Sequence, residues 1–188
     1  MMEVNRIIAK KGLEIFGGIP KVNRFWNNSN TKKIDILKCE DVPQDGIQSC
    51  ATIGLNNIDI GMSNSNSPLR VEILGASDMK NVKFENIIAS VALDIMEQGC
   101  CFPGHIIPNI IEQYIDDSEM KHVLLTDPFL WEGAKSFLLD DVYIAWLMVV
   151  PISEKEYVYA SENGVDELGK VFEENEIDIY NIWRKSVI

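Results

Sequence analysis

VYIAWLMVV, residues 142–150, is the most apolar run in the chain. Its nine residues fall far short of the roughly 20 that a membrane-spanning helix needs. A run this short and this rich in β-branched and aromatic residues fits a central strand covered on both faces. Pro151 should close it, because proline cannot donate to a strand ladder. Ser153 then stands as a helix N-cap, with Glu156 three residues on, the reciprocal arrangement of a capping box. That helix extends to about Asn163-Gly164. A second one, Asp166 to Glu174, carries Leu168, Val171 and Phe172.

Before the central strand lies HVLLTDPFLWEG, residues 122–133. His122 to Thr126 reads as a strand, and Asp127-Pro128 turns it. Phe129 and Trp131 follow as two exposed-looking aromatics. The loop behind the strand could serve catalysis, face a partner, or only cover the core. Further upstream, Asn86 to Gln98 is the strongest helix, with Ile87, Ile88, Val91, Ile95 and Met96 on one stripe and Gly99 to end it. CFPGHIIPN links the two as irregular chain.

The N-terminal half reads as a helix followed by short strands. Val4 to Phe16 is a helix stopped by Gly17-Gly18-Ile19-Pro20. Lys21 to Trp26 and Ile34 to Leu37 flank an Asn/Ser-rich turn, the signature of a hairpin. Cys50 to Leu55 is a third strand, and Ile58 to Met62 continues it or pairs with it. SNSNSP is a loop by composition. In LRVEIL, Leu69, Val71 and Ile73 share one face and Arg70 and Glu72 the other, so one buried and one wetter side is expected, as antiparallel sheets allow. The tail IDIYNIWRKSVI fits strand or helix equally. The order predicts an α+β domain: a mixed, largely antiparallel β-sheet covered by helices, in a single unit over residues 1–188 with residues 1–19 as N-terminal helix and turn.

The chain is 188 residues long, 46% hydrophobic and 24% charged, ordinary values for a globular domain. Its N-terminus lacks the continuous apolar segment of a secretory signal. The four cysteines, at 39, 50, 100 and 101, show no C-x-x-C spacing and read as free thiols in a reducing cytoplasm. Net charge is −12, and it is lopsided: residues 1–94 carry 11 Lys/Arg and 11 Asp/Glu, whereas residues 95–188 carry 6 and 18. An acidic half argues against direct contact with nucleic acid or anionic membranes and suits a basic protein partner. A solvated acidic surface kept for solubility is the plainer alternative.

Catalytic motifs are scarce. The chain has no phosphate-cradling glycine loop, no G-x-S-x-G elbow and no H-E-x-x-H. Cys101 and His105 lie four apart across Phe-Pro-Gly, and a thiolate–imidazole pair there competes with a structural loop holding a buried thiol. Asp116-Asp117 with Glu119, and Asp140-Asp141, could in principle hold a hard cation, but neither has a glycine-centred calcium loop. Turns or partner contacts are the better reading. No metal, no cofactor and no catalysis is expected. Trp131, beside Glu132, would be an interface anchor if exposed and a core-covering aromatic if not.

Several of these pieces, in order, resemble the suppressor-of-fused domain: CATIGL, PLRVEIL, NIIASVALDIMEQ, HVLLTDP, VYIAWLMVVPIS, EKEYVYASENGVDELGKVF and a late Arg184. The matching positions include His122, Leu124, Leu125, Pro128, Pro151, Ile152, Ser153, Glu156, Asn163, Gly164 and Leu168. The resemblance covers about residue 20 to the end. It implies a SUFU-like α/β sandwich and a binding protein rather than an enzyme. The short bacterial members resemble immunity proteins that neutralise the C-terminal domain of a secreted polymorphic toxin, here in particular antitoxins of LXG-type toxins, often nucleases. The family does not fix the contact residues. From charge and position, the partner-facing groups expected are Asp116, Asp117, Asp127, Trp131, Glu132, Asp140 and Asp141. The alternative is a module of the same fold that holds a peptide on a sheet edge without any link to a toxin.

Overall fold

The computed structural model describes residues 2–64 and 66–188; Met1, which heads the N-terminal segment, and Ser65, inside the SNSNSP loop, lie outside the described residues. In chain order the elements are α1 (Met2–Phe16), β1 (Pro20–Trp26), β2 (Lys33–Glu40), β3 (Ile47–Ile53), β4 (Ser63–Asn64), β5 (Ser67–Asp78), α2 (Phe84–Gln98), β6 (Ile106–Ile107), β7 (Met120–Thr126), β8 (Phe137–Leu139), β9 (Val142–Ser153), α3 (Glu154–Asn163) and α4 (Val165–Glu174). The strands join in the order β1-β2-β3-β5-β9-β7-β6, with β4 added on β5 and β8 on β9. Among the described residues every pairing is antiparallel except β5 with β9. This is the mixed, largely antiparallel α+β sandwich that the sequence predicts.

The central run behaves as its composition requires. Successive side chains of a strand point to opposite faces. Ala145, Leu147 and Val149 of β9 meet the cluster built on Ile87, Ile88, Val91 and Ile95 of α2. Ile144, Trp146, Met148, Val150 and Ile152 meet the opposite cluster, with Ile8 and Phe16 of α1, Ala160 of α3, and Leu168 and Phe172 of α4. Both faces are covered, so no polar alternation is possible. α2 sits so close to the sheet that a Cβ on Gly75 of β5 would lie 2.7 Å from Ile88 Cδ1 and 2.9 Å from Phe84 Cζ. Gly75→Ala should therefore overpack this contact and lose about 1–3 kcal/mol of stability in urea unfolding; an unchanged midpoint would show that α2 yields freely.

β6 forms from Ile106–Ile107 inside the stretch read as irregular, β4 takes Ser63–Asn64 from the stretch read as a loop, and four further expectations need correction. Ile58 to Met62 forms no strand, because β3 ends at Ile53 and Gly54, at φ 108°, turns the chain into a short 3-10 segment over Leu55–Asn57. Pro151 does not close β9, which continues to Ser153. The last residue of β9 paired with β5 is Met148. The Pro151 carbonyl accepts from Arg184 Nη2 (3.0 Å), so no ladder partner is waiting on the side where its N–H is missing. The face of β5 bearing Glu72 is not wet. Glu72 is fully buried, and β5 lies parallel to β9 there. The tail is neither strand nor helix. Residues 175–188 are held as a strap by Asp78 N–H and Ser77 Oγ–H donating to Tyr180 O, and by Ser118 Oγ–H donating to Ile182 O.

Candidate functional site

α4 is pinned to the sheet by Leu168 and Phe172, four residues apart and both buried. That places Asp166, Gly169, Lys170 and Glu173 along an open groove of about 760 Å³ between α4 and the end of β7. Leu124 and Val150 from the sheet, Phe172 from α4, and Ile177 and Ile179 from the tail give the groove an apolar floor. Its rim carries Asp127, Asp166, Glu173 and Glu176, four exposed carboxylates. The cation on it, Lys170, already binds Glu167 (2.5 Å). Phe129, 63% exposed, stands at the mouth.

The strap sets the base of this groove through one buried constellation. Glu156 of α3 accepts from both terminal Arg184 guanidinium nitrogens, Nη1 and Nη2, at 2.6 and 2.7 Å, and from the backbone N–H groups of Ser153 and Val187. Ser153 Oγ returns the interaction by accepting from Glu156 N–H, which completes the expected capping box. Arg184 also lies over the Phe172 ring at 5.2 Å. His122 is buried as well. Its Nδ1 accepts from Asn109 N–H (3.0 Å), which leaves the proton on Nε2 facing Glu154 (2.8 Å). Both the histidine and the arginine are therefore structural ties between strand, helix and tail.

The expected partner-facing residues do not form one cluster. Asp127 joins the groove. Asp116 and Asp117 border a second hollow of about 320 Å³ with Lys80, Lys83 and Trp183, and Asp117 accepts from Trp183 Nε1–H (3.0 Å). Glu119 beside them is taken by Lys185 and Ser186 N–H. Asp140 and Asp141, at φ 47° and 63°, are the two central residues of the β8–β9 hairpin, where Leu139 pairs with Val142. A two-residue hairpin of this kind, type I′, needs positive φ at both places, and aspartate tolerates it better than most residues, so these carboxylates have a turn to make before any other role. Glu132 is exposed on the loop after Trp131.

Trp131 is not the exposed anchor expected. It is 7% exposed and packs on Phe16 with ring centroids 5.1 Å apart. Once α1 folds over the sheet, the large apolar ring gains more from that contact than from solvent. Cys101 is buried, and burial, reinforced by Cys100, pushes its thiol up to about 12. A thiol that high stays protonated at neutral pH and is a poor nucleophile. His105 instead stacks on Phe102 at 5.0 Å, and burial lowers its pKa while Asp94 raises it. The sequence reading missed the α4 wall of the groove. The available signal was Gly169, a mid-helix glycine that costs helix stability and so asks for a reason, set among Asp166, Glu173 and Glu176.

The chain matches the model of a family described as Suppressor of fused protein (SUFU) over residues 30–185. It is 38% identical over 186 residues to "Immunity protein YqcF" of Bacillus subtilis (strain 168), covering 98% of this chain and 97% of that protein. Its fold is similar to that of a SUFU (suppressor of fused protein) homolog from Neisseria gonorrhoeae FA 1090, with a TM-score of 0.75 at 16% identity over 100% of this chain and 98% of the other. A chain in the crystal structure of the Sufu–Fu complex matches with a TM-score of 0.66 at 13% identity, over 98% of this chain and 92% of that one.

Proposed function

The chain belongs to the suppressor of fused (SUFU) family, and from that premise we propose that it is an immunity protein, which binds the toxic domain of a cognate secreted toxin and neutralises it without catalysis. The observation that carries this reading is the similarity to an immunity protein along nearly the whole of both chains. The partner proposed is the C-terminal domain of an LXG-type toxin, a basic nuclease domain. The −12 net charge, concentrated after residue 94, supports that choice, because complementary potentials speed encounter and select the partner. Asp116, Asp117, Asp127, Glu132, Asp140 and Asp141 are all exposed and available to contribute to that field. The site of action is the cytoplasm; no helix among the described residues is long and apolar enough to cross a membrane.

The expected result is rescue. Co-expression with the C-terminal domain of its cognate LXG-type toxin should restore growth, and purified components should associate more slowly as salt rises. Persistent growth arrest despite abundant, folded protein would end the proposal. A second reading rests on β1, a sheet-edge strand on which Val22 and Trp26 are 55% and 50% exposed. A strand of another protein could add there, holding a peptide with no toxin involved. Capture of a non-toxin partner that Trp26→Ser abolishes, with no rescue in the growth assay, would favour this second reading.

A further inference from the structure

The groove beside α4 has the features of a seat for polypeptide rather than for a small polar molecule. It is open along α4 and floored by aliphatic and aromatic side chains from three separate parts of the chain. The buried polar atoms without partners among the described residues, His105 Nδ1 and Trp131 Nε1, do not line it, so its polar groups are those of the exposed rim. Its charge is one-sided: Asp127, Asp166, Glu173 and Glu176 face the opening, and Lys170 is occupied by Glu167. Gly169 lies on the wall, and a Cβ added there would meet nothing within 4 Å. The fold leaves that position empty without needing it empty for packing. A glycine of this kind permits close approach of another backbone.

We propose that this groove takes an amphipathic segment of the toxin domain, with an apolar side set on the half-buried Val165, Ile177 and Ile179 and Lys or Arg side chains reaching the acidic rim. The assignment rests on the immunity reading and specifies where the partner docks. Charge complementarity chooses the occupant: a second copy of this acidic chain would bring like charges together, whereas a basic domain supplies the missing sign.

The test measures binding of the toxin domain to the full chain by calorimetry at low and high salt. Gly169→Trp projects an indole into the groove from a position where a Cβ meets nothing within 4 Å and should weaken binding roughly 30-fold, the loss of one central contact. Gly169→Ala puts a methyl where the partner's backbone approaches and should weaken binding by a smaller factor, and urea unfolding of both variants serves as the folding control. Glu173→Lys with Glu176→Lys should weaken binding at low salt and flatten its salt dependence. If Gly169→Trp and the double charge reversal both bind as wild type, the groove is not the seat, although the immunity reading survives. If the wild-type chain itself does not bind the toxin domain, both ideas fall together.

Discussion

Arg184→Ala should lower the unfolding free energy by about 3–5 kcal/mol, the usual cost of breaking a buried ion pair from one side. The pair is well insulated, with the Glu156 side chain fully buried and that of Arg184 only 6% exposed. Removing the guanidinium leaves Glu156 with two backbone donors, Ser153 N–H and Val187 N–H, in a site that water does not reach. It also strips the partner from Pro151 O and the cation from the face of Phe172. The strap carries Ile177 and Ile179, so the same substitution should loosen the groove floor and weaken the toxin binding proposed for it. Arg184→Met combined with Glu156→Leu should recover part of the loss, because a well-packed apolar pair has no desolvation to offset. Urea unfolding of the three variants checks this. A loss below about 1 kcal/mol for Arg184→Ala would mean that the tail is not fastened here.

Glu72→Leu should be of similar size. The Glu72 carboxylate lies under the turn after β3 and accepts from Thr52 Oγ (2.5 Å), Asn56 Nδ2 (2.6 Å), and the backbone N–H groups of Gly54 (2.9 Å), Asn56 (3.1 Å) and Leu55 (3.3 Å). Leucine fills the volume but leaves these donors unpaired in the interior, at roughly 1–3 kcal/mol for each group fully stranded. Burial raises the Glu72 pKa above its ordinary value, against the hydrogen bonds, which lower it. The stability contributed by this group is therefore complete below the ordinary glutamate range. It declines as pH rises through the raised folded value. Glu72→Gln cannot ionise, so its unfolding free energy should lack that decline. A Glu72→Gln profile that falls in parallel with wild type over weakly acidic pH would assign the titration to another group.

Much of the architecture was legible because it rests on local rules. The capping box at Ser153 and Glu156, the Asn/Ser turn between β1 and β2 and the α2 stripe each depend on residues within a few positions of one another. What escaped depends on distant partners. Glu72 alternates with apolar neighbours just as a solvated residue would, and only the return of the chain through residues 54–56 buries it. Pro151 ends a strand by its own chemistry, yet β9 continues on β7 to Ser153, and Arg184, 33 residues later, takes the buried Pro151 carbonyl. Trp131 looked exposed beside Glu132 because α1, which covers it, is more than a hundred residues away in sequence. The groove was hidden for the same reason: its floor gathers Leu124, Val150, Phe172 and Ile179, and no window of sequence holds them together. Asp127 is legible as a loop residue of the groove rim because it follows a strand directly; Glu173 and Glu176 are not, because helical acids usually mean a solvated face.

An immunity protein of the proposed kind disarms its toxin by occupying it. The most direct measurement is a titration of the purified toxin domain's activity with the purified chain at concentrations well above the dissociation constant. The account predicts a linear fall that reaches zero at one equivalent, with the toxin recovered intact in a complex on gel filtration. Activity that persists beyond several equivalents, or that disappears with the toxin cleaved or chemically altered, would contradict it.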